Sequence, residues 1–549
     1  MSAIEKSDDI ELAAKQMVHI LKWIQISIPL WESSSKMQTP DHLMNFQQEN
    51  ITFCLELASV LEGEGIKQRC ENLGFQDESK EMIMGIQNNW QATRVVPWVD
   101  IKLAAGGEAA LNNMLYCGPK SPSNSNVKKR GRKKKKRGNN GSGCYPSLER
   151  LGIIEGVTPL LASEVALEAT EGPSMERAQE RLVRKNITLT IEQVREISEN
   201  FGADGLALRL EWVKSGKMPK GMGFKSGEGD ILLIELDGFK LRLKQLKNGR
   251  IAKDKKRHCY YLHWTETKSF LIREIEPEGR RTPGGLSIID GTLGTPDDMF
   301  ALLEVYLLEG GLDLEKYDYI VFGSDGADWI RERVNALAEK LPVPTERIWM
   351  FVDWWHAKQH LWNAANARTG WKLKDRKAWV NGIKGLLYNG DIDGLVAEFD
   401  ALCVGRNAKK IATEKNYFIK NGDRMQYAKM EEFGLPIGSG AIESAGKQTI
   451  NMRLKGSGMT WLPVNGEAMI MMRSYLKSGN WDMFSLMAVN FRARRFDRDH
   501  PLREIPICDI RKGIIVKVPI HPKSKKRNTN IYKYYMMKKA ADAESSSTA

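Results

Sequence analysis

No Cys-x-x-Cys pair occurs among the seven cysteines of this 549-residue sequence, which stand at positions 54, 70, 117, 144, 259, 403 and 508. A four-cysteine zinc module and a disulfide framework are therefore not expected, and the thiols read as reduced and structural. Apolar residues never run uninterrupted for the ~18 positions that a membrane-crossing helix requires. The first residues include Glu5, Asp8 and Asp9 where a secretory leader would carry basic and then apolar residues, so the expectation is a cytoplasmic chain. Histidine is scarce, with eight in all. His356 and His360 have the i, i+4 spacing of a helical metal site, but Ala357 stands where a zinc protease needs glutamate. A zinc protease is therefore a poor reading.

What is present is a globular composition, 42% apolar and 28% charged, with a net charge of +13. At about 150 residues per domain the length suggests three or four domains. The positive balance implies an acidic partner, of which nucleic acid is the commonest. The basic charge is concentrated between residues 118 and 145, where Gly, Ser, Pro and Asn flank a run from Lys128 to Arg137. This reads as a basic linker whose Arg130, Arg132, Lys133 and Lys134 would neutralise DNA phosphates; the Arg130-Gly131-Arg132 core also suits a narrow minor groove.

Residues 1–117 ahead of it read as a helical region, with Ile10, Leu12, Met17, Ile20, Leu21 and Ile24 near a 3.6-residue repeat. Beyond it, residues 146–225 carry a helix-turn-helix cadence. MERAQERLVRK is followed by NITLT and then IEQVREISENF, with Thr190 as helix cap and Gln193 and Arg195 as candidate base contacts. A pair of packed bundle helices would give the same pattern.

From residue 226 the pattern alternates between strand and helix. Three β-rich runs (ILLIELDGFKLRLKQL, HCYYLHWTETKSFLIREI, GGLSIID) precede a helix, the strand YDYIVFGSD, another helix and the strand TERIWMFVD. This order predicts an α/β fold: a ribonuclease H-like mixed sheet flanked by helices, in which the first and fourth strands are neighbours. Asp237 and Asp325 end two of these apolar runs, and Glu443 opens a helical pattern after Gly438-Ser439-Gly440. Three carboxylates delivered in this way suit a site for two Mg²⁺ or Mn²⁺ ions that stabilise both the attacking and the leaving oxygen of a phosphodiester displacement. Asp-Gly is also a turn dipeptide, and Asp290-Gly291 is a further example.

Glu431 and Glu432 compete with Glu443 for the third position. Asp353 and His356 follow the fifth strand and would cap and orient the next helix beside the acids. Lys447, Asn451, Arg453 and Lys455 follow Glu443 and are candidate DNA contacts. Trp461 suits either base stacking or the core. Residues 361–435 are helical, basic and rich in tryptophan, an insertion between residues 226–360 and 436–500 of the core, and residues 501–549 form a basic tail.

VFGSDGADWI, FVDWWHAKQHL and LPIGSGAIESAGKQTINMRLKGSGMTW resemble the DDE transposases of bacterial insertion sequences, specifically the ISKra-type family related to Mutator-like transposases. The likeness covers roughly residues 146–480. It implies a ribonuclease H-like core interrupted by an all-helical insertion, with Asp237, Asp325 and Glu443 as metal-binding acids and Asp353 and His356 as the paired residues before the insertion. Paired N-terminal cysteines, frequent in that family, are missing; only Cys117 and Cys144 flank the basic run. The activity implied is metal-dependent cleavage and strand transfer at element ends. The partners implied are terminal inverted repeats and target DNA, bound by a homodimer or larger oligomer at the bacterial nucleoid, without a membrane. A nuclease or resolvase on the same fold, and a transposase-derived protein that binds DNA without cutting it, are the alternatives.

Overall fold

The computed structural model describes residues 38–86, 91–117, 143–218, 223–224, 226–246 and 260–494, together with positions 18, 21 and 24. Arg130, Arg132, Lys133 and Lys134, most of the apolar stripe before residue 25 and the tail 501–549 lie outside the described residues.

The N-terminal part begins with α1 (Pro40–Glu71), started by Thr39, whose side chain accepts from the His42 amide, and by Pro40, whose missing N–H costs nothing in a first turn. α2 (Leu73–Ile86) follows. The helical reading of residues 1–117 fails beyond this point. β1 (Gln91–Lys102) and β2 (Glu108–Cys117) form an antiparallel hairpin reversed at Gly106 and Gly107, both with positive φ. Ile101, Leu103 and Leu111 bury against Cys70 of α1, and the Glu62 carboxylate takes the amides of Ala104 and Ala105. β3 (Gly143–Cys144) adds to β2, with Cys117 opposite Gly143, so the chain leaves and rejoins this small sheet at paired positions.

α3 (Pro146–Arg150), α4 (Pro159–Glu171), α5 (Met175–Arg184) and α6 (Ile191–Ser215) come next. Thr190 and Gln193 close a reciprocal capping box at the start of α6. The two helices and the break between them stand where the helix-turn-helix cadence sets them, and the second is also part of a packed bundle. The Gln193 side-chain carbonyl is held by the Thr190 amide, and α6 is a 25-residue helix buried from Phe201 to Arg209 and packed on the last two helices among the described residues. Only Arg195 of the two proposed base contacts is exposed. The boundary expected near residue 225 is likewise no break in packing, because one hydrophobic core runs from Leu161 through the sheet to Phe491.

The central sheet has five strands: β4 (Ile231–Leu246), β5 (Tyr260–Ile275), β6 (Ser287–Thr292), β7 (Tyr319–Ser324) and β8 (Ile348–Val352). Its order is β6-β5-β4-β7-β8. β5 runs antiparallel to its neighbours, and β4, β7 and β8 are parallel. α7 (Pro296–Glu309) and α8 (Asp328–Ala338) make the crossovers that parallel strands require. None of Asp237-Gly238, Asp290-Gly291 and Asp325-Gly326 is a tight hairpin turn: the first two lie within β4 and β6, and the last comes directly after β7.

Between β8 and the next core helix stand α9 (Trp354–Ala367), α10 (Leu373–Tyr388), α11 (Ile392–Leu402), α12 (Ala408–Asn421) and α13 (Tyr427–Glu432), around their own core of Leu361, Val380, Phe399 and Phe418. α14 (Gly440–Gly446) continues through a wide π turn, Lys447–Asn451, to Leu454. α15 (Pro463–Lys477) and α16 (Trp481–Arg494) close the core. No helix among the described residues is long and apolar enough to cross a membrane.

One buried ionic group ties these layers together. Arg209 of α6 donates to Asp290 of β6 at 3.0 Å and to Glu467 of α15; Tyr306 donates to Asp290 at 2.9 Å, and the Leu293 amide to Glu467 at 2.6 Å. A buried pair stripped of one partner leaves an uncompensated charge, which costs about 3–5 kcal/mol. Arg209→Ala is therefore expected to lower unfolding free energy by about that amount in chemical denaturation, whereas Arg195→Ala on the exposed start of the same helix leaves it within about 0.5 kcal/mol.

Candidate active site

The parallel strands end in a row of acids. Leu236 of β4, Ser324 of β7 and Val352 of β8 are paired, and the Asp353 amide extends the ladder by donating to the Ser324 carbonyl at 2.8 Å. The next row is Asp237, Asp325 and Asp353. Adjacent strands lie about 4.8 Å apart, so three carboxylates arrive at the sheet's edge as close neighbours.

Asp353 leaves the row by hydrogen bonding. It caps α9, with Oδ1 accepting from the His356 amide at 2.7 Å and lying 3.2 Å from His356 Nδ1; its Oδ2 accepts from the Ser439 amide at 2.5 Å and the Ser439 hydroxyl at 3.0 Å. Burial alone would raise its pKa, but these bonds outweigh it and hold the group at about 2. The His356 imidazole is shifted upward, first by its bond to Asp353 and further by the fields of Asp325 and Glu443. Asp353 thus links the sheet edge, the start of α9 and the residue preceding α14.

α14 brings the third acid. It lies on the face of β4 that carries Glu235, Asp237 and Phe239: the Ala441 and Ile442 amides point toward Glu235, and Gly446 sits on the Phe239 ring. Any Cβ at 446 would collide with that ring, so the helix approaches this closely only because the residue is glycine. Asp237 lies midway along this stretch of strand and Glu443 midway along the helix. Ile442 and Ala445 pack on Leu271 and leave Glu443 and Lys447 exposed.

Asp237 registers the crowding. Burial, Asp325 and Glu443 raise its pKa to about 6 against the pull of the Gly238 amide and His356. Asp325 accepts from the Ala327 amide at 2.9 Å at the start of α8, and its carbonyl accepts from the Tyr417 hydroxyl of the insertion at 2.9 Å. The three acids share one electrostatic environment without being drawn to liganding distance: among the described residues, no three His, Cys, Asp or Glu side chains stand close enough together to hold a metal ion. The donor set itself, oxygen-only and half-buried to exposed, suits a hard divalent cation that retains some of its water.

Other sequence-derived candidates separate. Lys447 is exposed near Glu443. Asn451 is half-buried, its Oδ1 without a hydrogen-bond partner, and Lys455 is half-buried with its pKa lowered by burial. Arg453 is a correction. Only 2% exposed, it donates to the Ala169 carbonyl at 3.0 Å and lies over Trp461, and burial lowers its pKa to about 10. The π turn has one residue more than a regular turn, which rotates the succeeding residues by about 100° and turns Arg453 inward. Trp461 belongs to the core, its indole N–H donating to the Leu454 carbonyl. Glu431 and Glu432 lie exposed on α13, the former bound by Tyr388. His360 turns into the insertion, 2.5 Å from Glu414 and stacked on Tyr417.

Two features escaped the sequence reading. Glu235, 0% exposed beneath α14 with Arg273 at 3.6 Å and no well-formed hydrogen bond, is pushed by burial to about 7; an acid inside an apolar strand run was the available signal. Trp355, beside Asp353 and His356, is 66% exposed with the Lys358 ammonium over its ring, which no sequence pattern distinguishes from a buried tryptophan. A cavity of about 570 Å³ between α1, the β1–β2 turn and the α5–α6 loop, lined in part by Ser59, Lys102, Gly106 and Asn186, contains none of the acids.

No protein-family model and no curated protein matches the chain. Among solved structures it is similar to the Drosophila P element transposase strand transfer complex, at 13% identity over 66% of this chain and 92% of that one, with a TM-score of 0.20. A likeness that slight has no bearing on function.

The two aspartates respond to pH with opposite signs. Asp237 has a folded pKa near 6, above its ordinary 3.8, so its charge weakens the metal-free fold as pH rises from about 4 through 6. Asp237→Asn is expected to raise the unfolding free energy in chelator at pH 8, by about 1 kcal/mol after allowance for solvent screening, and to leave it unchanged at pH 4. For Asp353 the contribution is present above about pH 4 and is lost as pH falls through 2. Asp353→Ala should cost about 2–3 kcal/mol at pH 7 in denaturant titrations and much less at pH 2.

Proposed function

We propose that this chain is a metal-dependent DNA transposase of the DDE type, with Asp237, Asp325 and Glu443 as its metal-binding acids and the β4–β8 sheet as a ribonuclease H-like catalytic core. The observation that carries the proposal is the register that sets Asp237 and Asp325 side by side where the pairing of β4 with β7 stops, with α14 and its Glu443 packed on the same stretch of β4, from positions 88 and 118 residues apart in the chain. The sheet order β6-β5-β4-β7-β8 with β5 antiparallel, and the five-helix interruption before α14, agree with that family's expected plan. The three sequence motifs that resemble DDE transposases of the ISKra type each contribute one of the residues at this edge: Asp325 after β7, Asp353 after β8 and Glu443 on α14.

The residues supply positioning and charge. Asp237, Asp325 and Glu443 would hold two Mg²⁺ or Mn²⁺ ions, whose chemistry when bound is to stabilise the attacking and leaving oxygens of an in-line phosphodiester displacement. Asp353 fixes the start of α14 and so sets where Glu443 stands relative to the sheet. His356, carrying a proton more readily than a free imidazole, offsets the negative potential that would repel a DNA phosphate. Exposed Lys447 and Arg195 and the net charge of +13 suit a polyanionic partner, here element ends and target DNA. Water serves as nucleophile for cleavage and the freed 3′-hydroxyl for joining; no covalent protein intermediate is needed.

The test is a Mg²⁺-dependent cleavage and joining assay on duplexes spanning the DNA that flanks the chain's own gene. Asp237→Asn, Asp325→Asn and Glu443→Gln should each reduce cleavage by at least a hundredfold while DNA affinity stays within threefold. Cleavage by Asp325→Asn at the wild-type rate refutes the assignment, and cleavage without joining by the wild type makes the protein a nuclease instead.

A further inference from the structure

β4 and β5 are each sixteen residues long, far longer than the strands beside them. β7 pairs only with Ile231–Leu236 and β6 only with Lys268–Arg273. The remainder, from Asp237 to Leu246 and from Tyr260 to Thr267, is a two-stranded ribbon that runs on past the sheet. Such a ribbon is marginal in water unless something anchors it. Here the anchor is on one side: Leu241 and Leu243 are buried in the core, and Trp461 joins the β4 edge, accepting from the Lys244 amide at 2.8 Å and donating to the Arg242 carbonyl.

Side chains directly opposite on paired strands share a face. On the outward face Lys240 is opposite Glu266, Arg242 opposite Trp264, and Lys244 opposite Leu262. Trp264 is 58% exposed, and Leu262 and Tyr260 on the same strand are also exposed. The acid on this face, Glu266, is engaged by Lys268. Glu199 of α6 lies within the fields of Lys244 and Arg195, with Glu196 beside it, so the two cations there are balanced by two acids and the excess positive charge of this face rests on Lys240 and Arg242. Cations opposite and beside a large exposed ring are the chemistry of a platform for unpaired nucleotides: phosphates meet the cations and a base stacks on the ring.

We propose that the outward face of the β4–β5 ribbon binds an unpaired stretch of DNA strand, with Trp264 stacking on a base and Lys240, Arg242 and Lys244 on its phosphates. The proposal rests on the DNA-processing reading above but adds a surface that reading does not use, about 17 Å along the strands from Asp237 at ~3.4 Å per residue. A second copy pairing through the same ribbon would bring these cations against one another, which disfavours that occupant.

The experiment compares the full chain and its variants on a fluorescent duplex carrying a single-stranded overhang and on the blunt duplex of the same sequence. Trp264→Ala should weaken overhang binding about tenfold and blunt binding less than twofold, and Trp264→Tyr should restore most of the loss. The triple variant Lys240→Ala, Arg242→Ala, Lys244→Ala should reduce the slope of log affinity against log salt on the overhang by about 2. Unchanged overhang affinity for both variants overturns the proposal, as does an equal loss on both DNAs, or a Trp264→Ala effect confined to oligomeric state in sedimentation. Asp325→Asn, run alongside for cleavage and binding, separates the two claims: wild-type protein that never cleaves yet discriminates the overhang through Trp264 sinks the catalytic reading alone.

Discussion

Where the parallel pairing of β4, β7 and β8 stops, the next residues of the three stand in a line, and this sheet fills that line with Asp237, Asp325 and Asp353. Three neighbouring carboxylates cannot all face outward without cost, and the structure resolves the conflict by giving them different partners. Asp353 is taken into a set of hydrogen bonds that keeps it charged and directed at the backbone of the approaching helix. Asp237 and Asp325 stay in the line with Glu443 above them, and burial together with their unrelieved repulsion raises the pKa of Asp237. Neighbouring acids of one residue type thus take opposite roles, one fastening elements together and the others offering charge.

The rest of the fold supports that edge. The buried Arg209, Asp290 and Glu467 group fixes α6 and α15 on the far strands, Gly446 lets α14 settle on Phe239, and the Tyr417 hydroxyl holds the Asp325 carbonyl from the side of the insertion. Since protein interiors are close-packed, a displacement of any of these would be felt at the acids.

Much of this was legible in the chain because local chemistry and tertiary demand agreed. Apolar β-branched runs became strands, Thr190 and Gln193 formed the cap their spacing announces, and the pairing of β4 with β7 brought Asp237 beside Asp325 as element order required. The failures lie where burial, not residue type, decides. Arginine at 453 has the composition of a DNA contact, but a single wide turn moves it into the core. Gly106-Gly107 between two β-rich runs was a hairpin signal that the helical pattern upstream obscured. Glu235 and Trp355 show the complementary difficulty, since exposure is a property of neighbours that sequence spacing does not encode.

The five-helix insertion enters and leaves the sheet at one point. The Trp354 amide donates to the Ile437 carbonyl at 2.9 Å, and Asp353 grips Ser439 two residues on. Its two ends are therefore stapled together by the same aspartate that seats α14. An appendage with abutting ends and its own apolar centre is a module in the literal sense: the parts of it that face away from the sheet are free to diverge in length and content, whereas the surfaces that meet the sheet and α8, among them Tyr417, Lys420, Asp423 and Met430, are constrained by what they touch.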